Sequence, residues 1–246
     1  METILYHIEN GVATITLNRP EVKNALNETM HKELYHVWDQ ASTSDKVKVI
    51  VLTGAKNAFS SGADLKSIPT ETLKNFNHSD YLKRTFNQLI PLIDNTDKPT
   101  IAYINGVAVG AGLSLTLACD FRFASADAKL ALSFLKIGLA PDAGTSYYLP
   151  RILGLGKAIE LGIGEPITAE EAHRIGLIYQ IGEPYEFIEK IKQVPQPAYS
   201  AMTSMMKNGL NGSLQDVLDR EAEYQYMAGK SQAHSDAINA FLKKSR

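Results

Sequence analysis

The sequence predicts an α/β domain followed by an all-helical C-terminal region, and three observations carry that expectation. Short apolar, β-branched runs alternate with stretches of helical period. A buried strand, a Gly-rich turn and a helix start follow one another over residues 104–115. A Pro195-Gln196-Pro197 hinge then separates this alternation from a tail with helical patterning only. These boundaries divide the chain into an α/β core, 1–194, and a helical region, 195–246.

Residues 4–17 read as a hairpin. Ile4, Tyr6 and Ile8 alternate with their neighbours, Glu9-Asn10-Gly11 supplies the turn, and Val12, Thr14 and Thr16 then alternate with Ala13, Ile15 and Leu17. From Asn27 to Ala41, the apolar residues Met30, Leu34, Val37, Trp38 and Ala41 recur every three or four positions, predicting an amphipathic helix capped by Asn27. The run 47–52, closed by Thr53-Gly54, reads as a strand covered on both faces. The polar segment 67–80 reads as a loop or a mobile helix. After Lys98-Pro99, residues 100–104 form a second buried strand, ended by Asn105-Gly106. Gly110-Ala111-Gly112 opens a helix through Leu113, Leu115, Leu117 and Ala118. A short strand is expected at 121–124, a helix with glycine interruptions at 149–163, and tail helices at 201–210, 214–228 and 233–244. No heptad or solenoid repeat is present.

Composition narrows the function classes. A chain of 246 residues can bury a full core. Its formal net charge of -2, with acids and bases interspersed, offers no basic stripe to neutralise phosphates, so nucleic acid is not an expected partner. The apolar stretch 107–118 is Gly-punctuated and shorter than the roughly 18 to 20 residues that cross a bilayer, so no membrane partner is expected. Cys119 is the single cysteine and the N-terminus lacks a charged-then-apolar signal pattern, which points to a cytoplasmic location. His7, His31, His36, His173 and His234 have no metal-ligand spacing, and no metal is expected.

Two segments, Ala58-Phe59-Ser60-Ser61-Gly62-Ala63-Asp64-Leu65 and the stretch from Ile104-Asn105-Gly106 to Gly110-Ala111-Gly112-Leu113-Ser114-Leu115, join Asn18-Arg19-Pro20 and Asn24-Ala25-Leu26 in order and spacing. Together they resemble the crotonase (enoyl-CoA hydratase/isomerase) superfamily, from about Ile4 to Ala172, and the helical tail fits as well. The resemblance implies a spiral of repeated ββα units with a C-terminal helical trimerisation region. It also implies an acyl-coenzyme A thioester as substrate rather than a bound cofactor, and a homo-oligomer, a trimer or a dimer of trimers.

The residue types suit that chemistry. A thioester carbonyl that becomes an enolate gains negative charge on oxygen, and two fixed backbone N–H groups stabilise it more as the charge grows. By resemblance those donors belong to Ala63 and Ala111. Ala111 opens the predicted helix, where unpaired amides favour an anion. Many relatives have glycine as the second donor, but alanine keeps the N–H. The backbone of Lys23, Asn24 and Ala25, and that of Ala63, Asp64 and Leu65, resembles the rim that holds adenine and pantetheine. Phe241 and Lys244 match an aromatic and a lysine that relatives lend to a neighbouring subunit's nucleotide; a lysine near a helix end also complements the helix dipole.

Hydratases of this family use two glutamates, and those positions here hold Ser114 and Phe134. Asp142, within Gly138-Leu139-Ala140-Pro141-Asp142-Ala143-Gly144-Thr145, falls where several enoyl-CoA isomerases carry one carboxylate. One carboxylate can move a proton from C2 to C4 if the dienolate between is held by the oxyanion donors. An apolar surround, with Leu139, Ala140, Tyr147 and Tyr148 contributing, would raise its pKa. Isomerisation of a 3-enoyl to a 2-enoyl thioester of a medium, branched or aromatic-derived chain is the leading expectation. Alternatives are hydration, a reaction in which Asp142 is a nucleophile, and a non-catalytic coenzyme A-binding or scaffold protein. Ser114 reads as a helix residue bonded to its own backbone. His78, Asp80 and Tyr81 read as surface-loop residues, Cys119 as a small buried hydrophobe, and Met202, Met205 and Met206 as helical core.

Overall fold

The structure is a computed structural model that describes residues 1–67 and 76–244, with the backbone alone for Lys244. Of the expected 67–80 loop, residues 68–75 lie outside the described residues. The chain forms two compact units, 1–189 and 190–246.

In the first unit the strands β1 (Ile4–Glu9), β2 (Val12–Leu17), β3 (Val49–Gly54), β4 (Ala58–Ser60), β5 (Thr100–Ile104), β6 (Val107–Val109), β7 (Phe121–Ala124), β8 (Lys129–Ala131), β9 (Ile167–Thr168) and β10 (Gln180–Ile181) form two sheets. The larger has the order β1-β2-β3-β5-β7-β10 and is parallel beyond the β1–β2 hairpin; the smaller has the order β4-β6-β8-β9. The helices are α1 (Glu28–Thr43), α2 (His78–Arg84), α3 (Phe86–Asp94), α4 (Ala111–Leu117), α5 (Thr145–Leu153), α6 (Leu155–Gly162), α7 (Ala169–Arg174) and α8 (Tyr185–Ile191), the last running across the boundary between the units. The pairs β3–β4, β5–β6 and β7–β8 each place one strand in the large sheet and the next in the small one before a helix returns. This is the ββα repeat of the crotonase fold.

The local chemistry explains the elements. β3 lies between β2 and β5, so both its faces are covered and Val49, Ile50, Val51 and Leu52 are all buried. At roughly 1.5 to 3 kcal/mol for each fully buried large aliphatic, such strands hold the sheet centre. The Asn27 side chain accepts from the Met30 N–H at 2.9 Å, capping α1. The expected face of α1 is buried, and it includes His31 as well. The expected 149–163 helix is instead two: Gly154, at φ +77°, breaks the chain between α5 and α6, and α5 begins earlier, at Thr145.

The second unit holds α9 (Gln196–Gly209), α10 (Leu214–Gly229) and α11 (Gln232–Lys244). Ser213 and Asp216 form a reciprocal capping box at the start of α10. The expectation of helical core for the methionines needs correction. Met202 and Met206 are exposed on α9 and Met205 is half-buried: the apolar residues Ala198, Tyr199, Ala201, Met202, Met205 and Met206 fall on one face of this helix, but of them only Tyr199 is buried.

Candidate active site

Two close backbone approaches build one wall of a cavity of about 400 Å³. After β4 the chain turns through Gly62 at φ +94°, where an added Cβ would stand 2.8 Å from the Val109 carbonyl oxygen and 3.6 Å from the Ala111 nitrogen. A Cβ on Gly112 would stand 2.7 Å from the Ser60 carbonyl oxygen. Only glycine at both positions lets the end of β4 lie against the start of α4.

This contact brings Ala63 and Ala111 to the same cavity. Ala63 bridges to Leu26 through its neighbours: the Leu26 N–H donates to the Gly62 carbonyl at 2.8 Å and the Asp64 N–H to the Leu26 carbonyl at 3.0 Å. The Ala63 N–H takes no part in that pairing. Ala111 is the first residue of α4, and the first bond of the helix runs from the Ser114 N–H to the Gly110 carbonyl at 3.0 Å, so the Ala111 N–H precedes the ladder.

Asp142 stands on the same cavity. Its loop passes through Ala143 at φ +50° and Gly144 at φ +80° before α5 starts, and a left-handed alanine costs of order 1 kcal/mol or more. Oδ1 of Asp142 is buried with no hydrogen-bond partner among the described residues. Burial pushes its carboxyl up to about 6. A second carboxylate on the cavity, Asp64, is engaged: Arg19 Nη1 lies 2.7 Å from Asp64 Oδ2 and donates to the Ala25 carbonyl at 2.7 Å.

Much of the remaining lining is aromatic. Phe76, Tyr81, Phe86 and Phe134 line the cavity together with Leu82 and Ile137. Burial, reinforced by the negative charges of Glu28, Asp142 and Asp64, pushes the Tyr81 hydroxyl up to about 12, so it stays neutral. Behind these rings, His31 on α1 packs edge-on against Phe86 at 4.3 Å and Tyr81 at 6.0 Å between ring centroids. His31 is only 3% exposed, and neither ring nitrogen has a hydrogen-bond partner among the described residues. Burial pulls its pKa down to about 4.

Ala63, Asp64, Leu65, Ala111 and Asp142 thus share one cavity, and Phe134 lines it as well. Lys23, Asn24 and Ala25 lie on the adjoining loop. Asn24 is fully buried, donating to the carbonyls of Ala55 and Ala58, and the Ser60 hydroxyl donates to its carbonyl at 2.8 Å. Phe241 is on α11 in the second unit, as is the backbone of Lys244; the Lys244 side chain lies outside the described residues. His78 and Tyr81, expected on a surface loop, are instead on α2 and line the cavity, because Asn77 caps a helix there by accepting from the Asp80 N–H at 3.1 Å. Cys119 is buried, and the Ser114 hydroxyl does bond its own backbone, donating to Gly110. The aromatic wall was not anticipated, although Phe86, Leu89, Ile90 and Ile93 carry a helical spacing that announces α3.

Residues 7–246 match the family model described as enoyl-CoA hydratase/isomerase. The chain belongs to that family. It is similar to the 1,2-epoxyphenylacetyl-CoA isomerase of Escherichia coli K12, at 35% identity over 99% of this chain and 97% of the relative. It is also similar to a protein of Rhodobacter capsulatus named "Probable enoyl-CoA hydratase", at 37% identity over 98% of this chain and 95% of that protein. A crystal structure of an enoyl-CoA hydratase from Bacillus anthracis superposes with a TM-score of 0.89 at 30% identity, covering 98% of this chain and 96% of that one. Family membership makes the chain an enoyl-CoA hydratase/isomerase-type enzyme; both reactions are named among its relatives. No helix among the described residues is long and apolar enough to cross a membrane.

Proposed function

We propose that this family member is an enoyl-CoA isomerase that converts a 3-enoyl to a 2-enoyl thioester with Asp142 as its single proton shuttle. One observation carries the reading: of the two carboxylates that line the cavity among the described residues, Asp64 is bound to Arg19, whereas Asp142 presents a buried oxygen with no partner among them. Water addition by two glutamates has no counterpart here, since Ser114 and Phe134 occupy their positions.

The thioester oxygen accepts from the N–H groups of Ala63 and Ala111, which stabilise the dienolate as charge moves onto it. Asp142 takes the C2 proton and returns it at C4 of the same bound chain. With its carboxyl near 6, Asp142 is ionised at neutral pH yet basic enough to accept a proton. No cofactor is required; coenzyme A arrives with the substrate, held along the Lys23–Ala25 and Ala63–Leu65 backbone. The aromatic wall favours a medium, branched or aromatic-derived acyl chain. Phe241 and Lys244 serve a neighbouring subunit's nucleotide in a homo-oligomer, a trimer or a dimer of trimers, and exposed Leu214, Leu218, Tyr226 and Met227 on α10 supply apolar contact surface. The location is cytoplasmic.

A panel of 2-enoyl, 3-enoyl and aromatic acyl-CoA thioesters tests the assignment. Fast loss of the 3-enoyl substrate is expected; hydration of 2-enoyl-CoA as the faster reaction would reject it. Mass spectrometry of enzyme quenched during turnover separates base from nucleophile, because only a nucleophilic Asp142 carries a covalent intermediate.

A further inference from the structure

We propose that Ser114 and Thr145 form a buried hydrogen-bonded clip that fixes Asp142 relative to the Ala111 donor, making both positioning residues. This rests on the reading of Asp142 as proton shuttle, and it gives the serine at the missing glutamate's position a task of its own.

The connections are continuous. The Ser114 hydroxyl donates to the Gly110 carbonyl at 3.0 Å, one residue before Ala111. Its lone pair is then free to accept from Thr145 Oγ1, which lies 2.6 Å away. Thr145 then holds Asp142 through its N–H, which donates to the Asp142 carbonyl at 3.0 Å; Thr145 Oγ1 lies 2.8 Å from that oxygen, but its single proton can go there only in place of the bond to Ser114. Ser114 and Thr145 are both buried, at 0% and 2% exposure, and neither lines the cavity. They act on the substrate only through Asp142 and the backbone at Gly110.

Such a tie is needed because of how Asp142 is presented. Its loop holds Ala143 in the left-handed region, a conformation that persists for alanine only when surrounding contacts enforce it. α4 carries one oxyanion donor and α5 begins at Thr145, so a bond from Ser114 to Thr145 sets base and donor in one frame. A displacement of about 1 Å in a reacting group can cost roughly a hundredfold in rate.

The experiment compares Thr145→Val, Thr145→Ser and Ser114→Ala, with Asp142→Asn alongside, on a 3-enoyl-CoA across pH. Removing either hydroxyl should lower kcat by about 10- to 100-fold with KM within about twofold. It should also let water reach Asp142 and move the acid limb of kcat/KM below about 6. Thr145→Ser should recover most of the rate. Wild-type kcat and an unmoved acid limb in both Thr145→Val and Ser114→Ala would overturn the clip, as would Thr145→Ser being as slow as Thr145→Val. Should Asp142→Asn itself stay fully active, the shuttle assignment fails; an inactive Asp142→Asn beside normal clip variants sinks the clip alone.

Discussion

The cavity is lined by two kinds of material. One is backbone: Ala63 and Ala111, brought together by the close approaches at Gly62 and Gly112, with Asp142 on the same cavity. The other is side chains, Phe76, Tyr81 and Phe86, with the buried imidazole of His31 behind them. The first cannot move without breaking close backbone contacts, which suits donors that must be in place before charge develops. The second can be recut one residue at a time. On the proposed function, reaction type and acyl-chain preference fall to these two sets of groups, and substitutions should divide the same way.

The largest effect should come from the backbone side. Asp142→Asn keeps shape and removes the base, and should lower kcat on a 3-enoyl-CoA by about 10⁴-fold, with coenzyme A affinity retained in a binding titration. Next is Ala111→Pro. Proline is tolerated at the first position of a helix, so this change deletes one donor with little cost to α4, and kcat should fall by about 10²- to 10³-fold. A fall in thermal stability without loss of kcat would assign the amide a structural role only.

Smaller effects belong to the aromatic side. The pKa of His31 falls from an ordinary 6.5 to about 4 on folding, so its contribution to stability is complete above pH 6.5 and is lost as pH falls toward 4. Between pH 7.5 and pH 5 this amounts to about 2 kcal/mol, and His31→Leu should remove that slope in urea titrations at the two pH values. Phe86→Leu should change the ratio of kcat/KM between short and long or aromatic acyl chains by only about 10-fold, leaving kcat on the preferred chain nearly unchanged. A collapse of kcat there would erase the division of labour between the two sets.

The same contrast explains what was legible in the sequence. The α/β core could be read because buried strands such as 49–52 are apolar throughout and α1 repeats every three to four residues. The Ala63–Ala111 approach was legible because close backbone contact demands glycine at 62 and 112, and Gly110 between strand and helix completes a readable spacing. Asp142 could be placed only through its family resemblance, since a Pro-Asp pair also makes an ordinary turn. The aromatic wall was less legible: Tyr81 and His78 follow a polar stretch without period, and His31 reached the core on a helix whose apolar face was already accounted for. The hydroxyl pair at 114 and 145 left no signal, because a contact between side chains 31 positions apart has no local pattern.

The most direct test of the central claim is exchange at C2 of a saturated acyl-CoA incubated with enzyme in D₂O, read by mass spectrometry or NMR. Wild-type enzyme should wash deuterium into C2, and Asp142→Asn should leave the position unlabelled while still binding the thioester. Labelling by Asp142→Asn at the wild-type rate would contradict the account.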